Sequence, residues 1–233
     1  MSKGYIFDYG GTLDTEGCHW GKVLWHAYQR HNIPIGEEQF RKAYVYAEKM
    51  LGKNPIIQSD YTFRQTLAAK LRIEFDWLEW SGLVSGNFPI ANSQTAILDD
   101  IYERVRETTA RSREVIYRVR KSAKVALVSN FYGNMSVVLR EFGLEKLFDA
   151  VLESAVVGVR KPDSKIFELG VNALGLKPED VTVVGDSLDK DIAPAKSIGC
   201  HTIWLKGEPW DSKQVDETLP DRIITSLGEL SEE

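Results

Sequence analysis

Short apolar runs rich in β-branched residues punctuate the chain, and between most of them apolar positions recur every three or four residues. The runs Tyr5 to Phe7, Val125 to Val128, Val181 to Val184, His201 to Leu205 and Arg222 to Ile224 read as buried strands bounded by turns. The segment "PDSKIFELGVNALG" reads as a helix. Asp163 is placed to cap its start, Ile166, Phe167, Leu169 and Leu174 are its apolar positions, and Gly175 ends it. "SLDKDIAPAKSIG" repeats the form and closes at Gly199, with Asp189 as its cap. Strands that alternate with helices predict an α/β fold. Its parallel sheet would be covered by helices on both faces, with the binding site at the carboxyl ends of the strands.

Residues 16 to 107 break this alternation. They read almost wholly as helix, in "HWGKVLWHAYQRHN", "GEEQFRKAYVYAEKML", "DYTFRQTLAAKL" and "SQTAILDDIYERVRET", interrupted at Pro34, Asn54-Pro55 and Gly86-Asn87-Phe88-Pro89. The pattern predicts a helical domain at 16–107 inserted into a core made of 1–15 and 108–233. A chain of 233 residues, 43% of them hydrophobic, can bury a substantial core. Its formal charge of -5 offers no general attraction to nucleic-acid backbones or anionic lipid, so neither is expected as a partner. No apolar run approaches a membrane span, and two cysteines, Cys18 and Cys200, make neither a disulfide framework nor a CxxC pair. The expected location is the cytoplasm.

Four positions bring chemistry into this picture. Asp8 ends the first strand in "GYIFDYGGTLDT", Ser129 ends the second in "LVSN", and Asp186 and Asp191 follow a third in "VGDSLDKDI". A parallel sheet converges these loops on one crevice. Clustered there, Asp8, Asp186 and Asp191 would repel one another without a compensating cation. A few hard oxygen ligands that leave room for water and phosphate suit Mg²⁺. Lys161, in "VRKPDS" before a helix start, is placed to face the same crevice and neutralise a phosphoryl oxygen, whereas Arg160 reads as a surface charge.

In order, "FDYGGTLD", "LVSN", "RKPDSKIF" and "VVGDSLDKDI" resemble the four motifs of the haloacid dehalogenase-like (HAD) hydrolases, in the subgroup with a helical cap inserted after the first motif. The resemblance spans residues 4–15 and about 108–230. It implies a Rossmann-like core with a helical cap, and Mg²⁺-dependent hydrolysis of a small phosphorylated metabolite. In that family the leading aspartate attacks phosphorus and carries the phosphoryl group, the role implied for Asp8. Ser129 matches the hydroxyl that binds the phosphoryl oxygens and Lys161 the ammonium, which completes the implied catalytic set. Tyr9, Gly10 and Asn130 join these three as implied phosphate-binding positions, the Asp8 to Gly11 turn through its backbone N–H groups. Asp8, the Gly10 carbonyl, Asp186 and Asp191 are the implied Mg²⁺ ligands.

The phosphatase pattern is D-x-D-G-T, and here it reads D-Y-G-G-T. Gly10 keeps a carbonyl for the metal but lacks the carboxyl that protonates the leaving oxygen and activates water. Such acid–base help is typically worth ~10²- to 10⁴-fold, so the resemblance implies a slow enzyme, or one selective for activated phosphates. Asp14 and His19 are the nearest candidates for a substitute acid. Trp20, Trp25, Trp77 and Trp80 read as packing residues of the insert, with stacking on an aromatic leaving group the alternative for Trp77 and Trp80, which share a helical face. The arginines from Arg104 to Arg120, interspersed with Glu103, Glu107 and Glu114, read as a solvated face. The competing functions are a non-catalytic binder of phosphate ligands, a phosphotransferase, and a phosphonatase using a cap lysine such as Lys22. A dehalogenase would have little use for Asp186 and Asp191.

Overall fold

The computed structural model describes residues 3–84, 87–211 and 215–231. Among them, β1 (Gly4–Phe7), β2 (Lys124–Ser129), β3 (Ala150–Glu153), β4 (Val181–Gly185), β5 (His201–Leu205) and β6 (Arg222–Ile224) form one sheet in the order β3-β2-β1-β4-β5-β6. Every neighbouring pair is parallel. The strands expected from the sequence are present with ends shifted by at most one residue. β3 is an addition: it is an edge strand whose Val151 is exposed and whose Glu153 is buried, so it lacks the continuous apolar run of a central strand.

Alternation along the strands explains those runs. Ile6, Ala126, Val128 and Val183 pack on one face against Ile166, Phe167 and Val171 of α6 (Lys165–Leu174). Phe7, Leu127 and Val184 face the other layer, covered by Val115, Ile116 and Val119 of α4 (Ile90–Val119) and Val138 and Leu139 of α5 (Met135–Glu141). From β1 the chain builds β2 and β3 on one side, then crosses to β4, β5 and β6 on the other. The strand order therefore reverses at β1, and a crevice opens beyond its carboxyl end.

Four helices lie between β1 and β2: α1 (Trp20–Arg30), α2 (Glu37–Lys53), α3 (Phe63–Trp80) and α4. Pro34 and Asn54-Pro55 fall in their connections as expected, and Pro89 precedes α4, while Gly86 lies outside the described residues. Position 107, the expected domain boundary, lies inside the 30 residues of α4. Its apolar stripe continues without a break, so that Ile97 and Ile101 join the helical insert and Ile116 and Val119 the sheet. Phe63 meets Phe142 edge-on at 5.4 Å across the junction. The arginines of α4 are exposed as expected; Arg104 pairs with Asp100 at 2.6 Å and Arg111 with Glu16 at 3.2 Å. No described helix is long and apolar enough to cross a membrane.

The insert has its own centre, where the Tyr28 ring lies 4.9 Å from that of Phe40 and 5.3 Å from that of Phe75. Fully buried beside it, Glu74 accepts the Tyr28 hydroxyl at 2.9 Å, and its Oε1 has no partner among the described residues. Burial pushes the Glu74 carboxyl from 4.5 up to about 7, although the Lys70 charge and the Tyr28 hydrogen bond oppose the shift. Between these values the folded chain holds a proton that the unfolded chain releases, so stability present below pH 4.5 is lost as the pH rises to about 7. A shift of this size corresponds to on the order of 3 kcal/mol. Glu74→Gln removes the titration. Across that window the melting temperature of the variant, relative to the native protein, is expected to rise with pH and then level off; a constant difference contradicts the burial of a protonated Glu74.

Candidate active site

Asp8 stands one residue beyond β1, and its N–H donates to Val184 O at 3.0 Å, which carries the pairing with β4 into the crevice. The residue is 6% exposed. Lys161 Nζ donates to Asp8 Oδ1 at 2.5 Å and to Asp191 Oδ1 at 2.7 Å, so one buried ammonium joins the first strand to the loop after β4. That loop contains one π-helical turn, Leu188–Ile192, a geometry frequent at functional sites. The turn is capped by Ser187 Oγ, which accepts Lys190 N–H at 3.1 Å; this corrects the expectation of a cap at Asp189. Ser187 also holds the site directly, its N–H donating to Asp191 Oδ2 at 3.1 Å. The cap position expected at Asp163 falls one residue later, at Ser164, although the Asp163 carboxylate accepts Lys165 N–H at 2.9 Å.

Two glycines make these approaches sterically possible. Gly11 has φ +102°, and a Cβ there would lie 2.5 Å from the Asp186 carboxyl. A Cβ on Gly185 would lie equally close to Asp191. Opposite Gly11, the Thr12 hydroxyl lies 3.0 Å from Asp186 Oδ1 and 3.4 Å from Asp8 Oδ2, bridging the two carboxylates. Sequence patterning does not single out Thr12, although it is four residues from Asp8 on a tight turn, a spacing that returns a side chain to its neighbour.

The electrostatics follow from burial. Asp8 rises from 3.8 to about 6, chiefly by burial, with Lys161 lowering it and Asp191 raising it. Asp186 is pushed well above the usual range by burial and then by the charges of Asp8 and Asp191. Burial works against the Lys161 ammonium, yet Asp191 and Asp8 together hold its pKa above the ordinary lysine value. One ammonium among three carboxylates leaves a negative surplus. Ligand oxygens of Asp8, Asp186 and Asp191 all lie within 4.8 Å of one another, and this hard-oxygen set fits a divalent ion such as Mg²⁺.

An open cavity of about 970 Å³ extends from this cluster to the helical insert. Asp8, Gly10, Ser129, Asn130, Lys161, Asp186 and Asp191 line it together, along with Asp14, His19 and Trp20. Tyr9 does not: its ring is fully buried, edge-on to Phe131 at 5.9 Å, which leaves only its backbone for a phosphate. The Asn130 side chain has both ends engaged by the Lys161 backbone, donating to its O and accepting from its N, each at 2.9 Å. Asn130 thus positions Lys161, and its amide is not aimed at a ligand.

Asp14 and His19 are both tied to backbone. Asp14 is 1% exposed; its Oδ1 accepts Gly11 N–H at 2.7 Å and its Oδ2 accepts Trp20 Nε1–H at 3.0 Å. Burial raises its pKa to about 7. His19 Nδ1 accepts Gly21 N–H at 3.0 Å and caps α1, so its ring is fixed at the helix start. Burial, then the charges of Lys190 and Lys70, lower His19 to about 4, which leaves it neutral at pH 7 with no imidazolium proton to give. Lys22 pairs with Glu37 at 2.8 Å outside the cavity lining. Trp77 and Trp80 do not line the cavity either, and Trp80 is 83% exposed. The tryptophan at the site is Trp20, 3.8 Å from where a Gly10 Cβ would be.

Residues 3–199 match the family model of the haloacid dehalogenase-like hydrolases. The mouse haloacid dehalogenase-like hydrolase domain-containing protein 3 is 27% identical over 224 residues, 84% of this chain and 85% of its own. A glyceraldehyde 3-phosphate phosphatase of Pyrococcus furiosus is 26% identical over 207 residues, 87% of this chain and 79% of its own. Among solved structures, the putative HAD-hydrolase YfnB of Bacillus subtilis, bound to magnesium, aligns with a TM-score of 0.55 at 17% identity over 98% of this chain and 96% of that one, a likeness of fold.

Replacing the central ammonium, as in Lys161→Met, leaves Asp8 and Asp191 buried without their shared partner, a loss worth about 3–5 kcal/mol. The expected result is a melting temperature several degrees lower in chelator and a larger recovery on adding Mg²⁺ than the native protein shows. An unchanged melting temperature in chelator contradicts the arrangement.

Proposed function

We propose that this chain, which belongs to the haloacid dehalogenase-like hydrolase family, is a Mg²⁺-dependent phosphohydrolase of a small phosphorylated metabolite, working through an aspartyl-phosphate on Asp8. The observation that carries the reading is the single ammonium of Lys161 held between Asp8 and Asp191 at the closed end of a roomy cavity. The phosphatase activity named for the Pyrococcus furiosus relative supports a small phosphorylated substrate.

In this reading an Asp8 oxygen attacks phosphorus in line, and the P–O bond to the leaving group breaks as the Asp8 O–P bond forms. The leaving oxygen then takes a proton. Water next attacks the phosphorus, frees inorganic phosphate and restores the Asp8 carboxylate. Ser129, Lys161 and the Tyr9 and Gly10 N–H groups bind the phosphoryl oxygens, the Gly11 N–H of the same turn being already donated to Asp14, while Asn130 fixes Lys161 through its backbone. Asp8, the Gly10 carbonyl, Asp186 and Asp191 would hold Mg²⁺, which when bound supplies positive charge to the transferring oxygens. Residues 16–107 act as the cap that shapes the far end of the cavity.

What the site lacks is a carboxyl at position 10. Asp14 lines the cavity but has both oxygens accepting from fixed donors, and the His19 ring is neutral, so the leaving oxygen depends on its own stability or on a proton from water. Acyl and aryl phosphates suit such a site better than alkyl phosphates. A carboxyl can be restored there: Gly10 is outside the left-handed region, and its Cβ would meet only Trp20, at 3.8 Å.

Phosphate release with Mg²⁺ from acetyl phosphate, p-nitrophenyl phosphate and glycerol 3-phosphate tests this reading in the native, Asp8→Asn and Gly10→Asp proteins. The native protein is expected to favour the first two and Asp8→Asn to fall to background. Gly10→Asp should raise glycerol 3-phosphate turnover by roughly 10²-fold or more. A native protein that these compounds stabilise thermally without any phosphate release would be a binder of phosphate ligands, and the hydrolase reading would fall.

A further inference from the structure

The cavity is electrically polarised in a way that hydrolysis of a phosphate monoester does not require. Its inner end holds Asp8, Asp186 and Asp191 around Lys161. Beyond these groups and Asp14, the charged lining consists of Lys49 and Lys53 of α2, Lys70 of α3, Arg160 before Lys161, and Lys190 in the π-helical turn, against one carboxylate, Glu48. Five cations facing one acid is the reverse of a chain whose formal net charge is -5.

These cations converge from both sides of the opening. Lys70 is 8% exposed and is fixed by its ion pair with Glu48 Oε1 and by the Tyr44 ring, 4.3 Å from Nζ. The charges of Lys70 and Lys190 both reach His19 and Glu48, and those of Lys70 and Arg160 both reach Tyr132. Lys70 therefore comes from the insert, and Lys190 and Arg160 from the core, around one space. Glu48 neutralises Lys70, but Lys49, Lys53, Arg160 and Lys190 make no ion pair with a described carboxylate. A cluster of like charges repels itself and is tolerated where an opposite charge arrives.

We propose that the mouth of the cavity is a second anion site, so that the substrate carries a second anionic group, a carboxylate or a phosphate, which Lys70, Arg160 and Lys190 receive while the transferred phosphoryl group lies at Asp8. This rests on the phosphohydrolase reading and narrows it to doubly anionic substrates. The cavity of about 970 Å³ has room for both ends of such a molecule.

Calorimetric binding to the Asp8→Asn protein with Mg²⁺ reads the discrimination without turnover, using pairs that differ chiefly in the second anion. 3-Phosphoglycerate against glycerol 3-phosphate tests a carboxylate, and fructose 1,6-bisphosphate against fructose 6-phosphate tests a phosphate. The doubly anionic member of at least one pair is expected to bind about tenfold tighter, the order that two or three partly exposed charge contacts supply. That advantage should shrink at high salt and largely disappear in Arg160→Gln/Lys190→Gln. Equal affinity within both pairs, or an advantage that the double substitution leaves intact, overturns the second anion site. Phosphate release by the native protein from the same compounds separates the two readings. Release without discrimination removes only the anion site, and discrimination without release removes only the hydrolase.

Discussion

Three carboxylates and one ammonium meet in a space that excludes most water, and the rest of the core is arranged to keep them there. A buried ion pair is a poor source of stability, because the desolvation of both partners can exceed their attraction. Lys161 with Asp8 and Asp191 is better understood as a registration device. It fixes the loop after β4 relative to the end of β1 and the segment that follows β3. Each of those segments is separately anchored: Asp8 by the β4 ladder, Lys161 by the Asn130 amide, and Asp191 by the Ser187 N–H. The surplus negative charge that remains is what fits the cluster to hold a divalent cation as well as to form an ion-pair network.

The parallel sheet supplies this convergence at little structural cost. With β1 at the reversal of strand order, the loops after β1, β2 and β4 open on the same side, each a few residues from a rigid, buried strand. Close approach of backbone to carboxylate then becomes the limiting condition. Gly11 and Gly185 meet it, since a single methyl group at either position would collide with Asp186 or Asp191.

The same physics explains what could be read from the sequence. The strands β1, β2, β4, β5 and the short β6 announce themselves as apolar runs, and an acid or hydroxyl at the end of three of them marks the crevice from residue order alone. β3, exposed at the sheet edge, carries no such signal. Side chains that reach the site across the fold were equally silent. Trp20 rather than Trp77 or Trp80 stands over Gly10, and the Glu48–Lys70 pair is separated by 22 residues on two helices whose packing no local pattern specifies. Asn130 lies at the cavity as expected but makes a different contact, because motif position does not reveal that both ends of its amide are already engaged by Lys161.

The two ends of the cavity also bear on the missing carboxyl at Gly10. In the proposed reaction negative charge develops on the leaving oxygen, which lies on the side of the phosphorus away from Asp8 and therefore toward the mouth. A fixed acid answers that charge with a proton; a set of preorganised cations answers it with field, and fields act strongly where water is excluded. Lys70, held by Glu48 and Tyr44, is the most enclosed of these cations, whereas Lys190 and Arg160 sit on exposed, screened positions. The arrangement thus favours recognition of a second anion over stabilisation of an alkoxide. On the proposed reading specificity and rate are carried by different residues, so that selectivity for a substrate is compatible with a turnover limited by how well the leaving group bears its own charge.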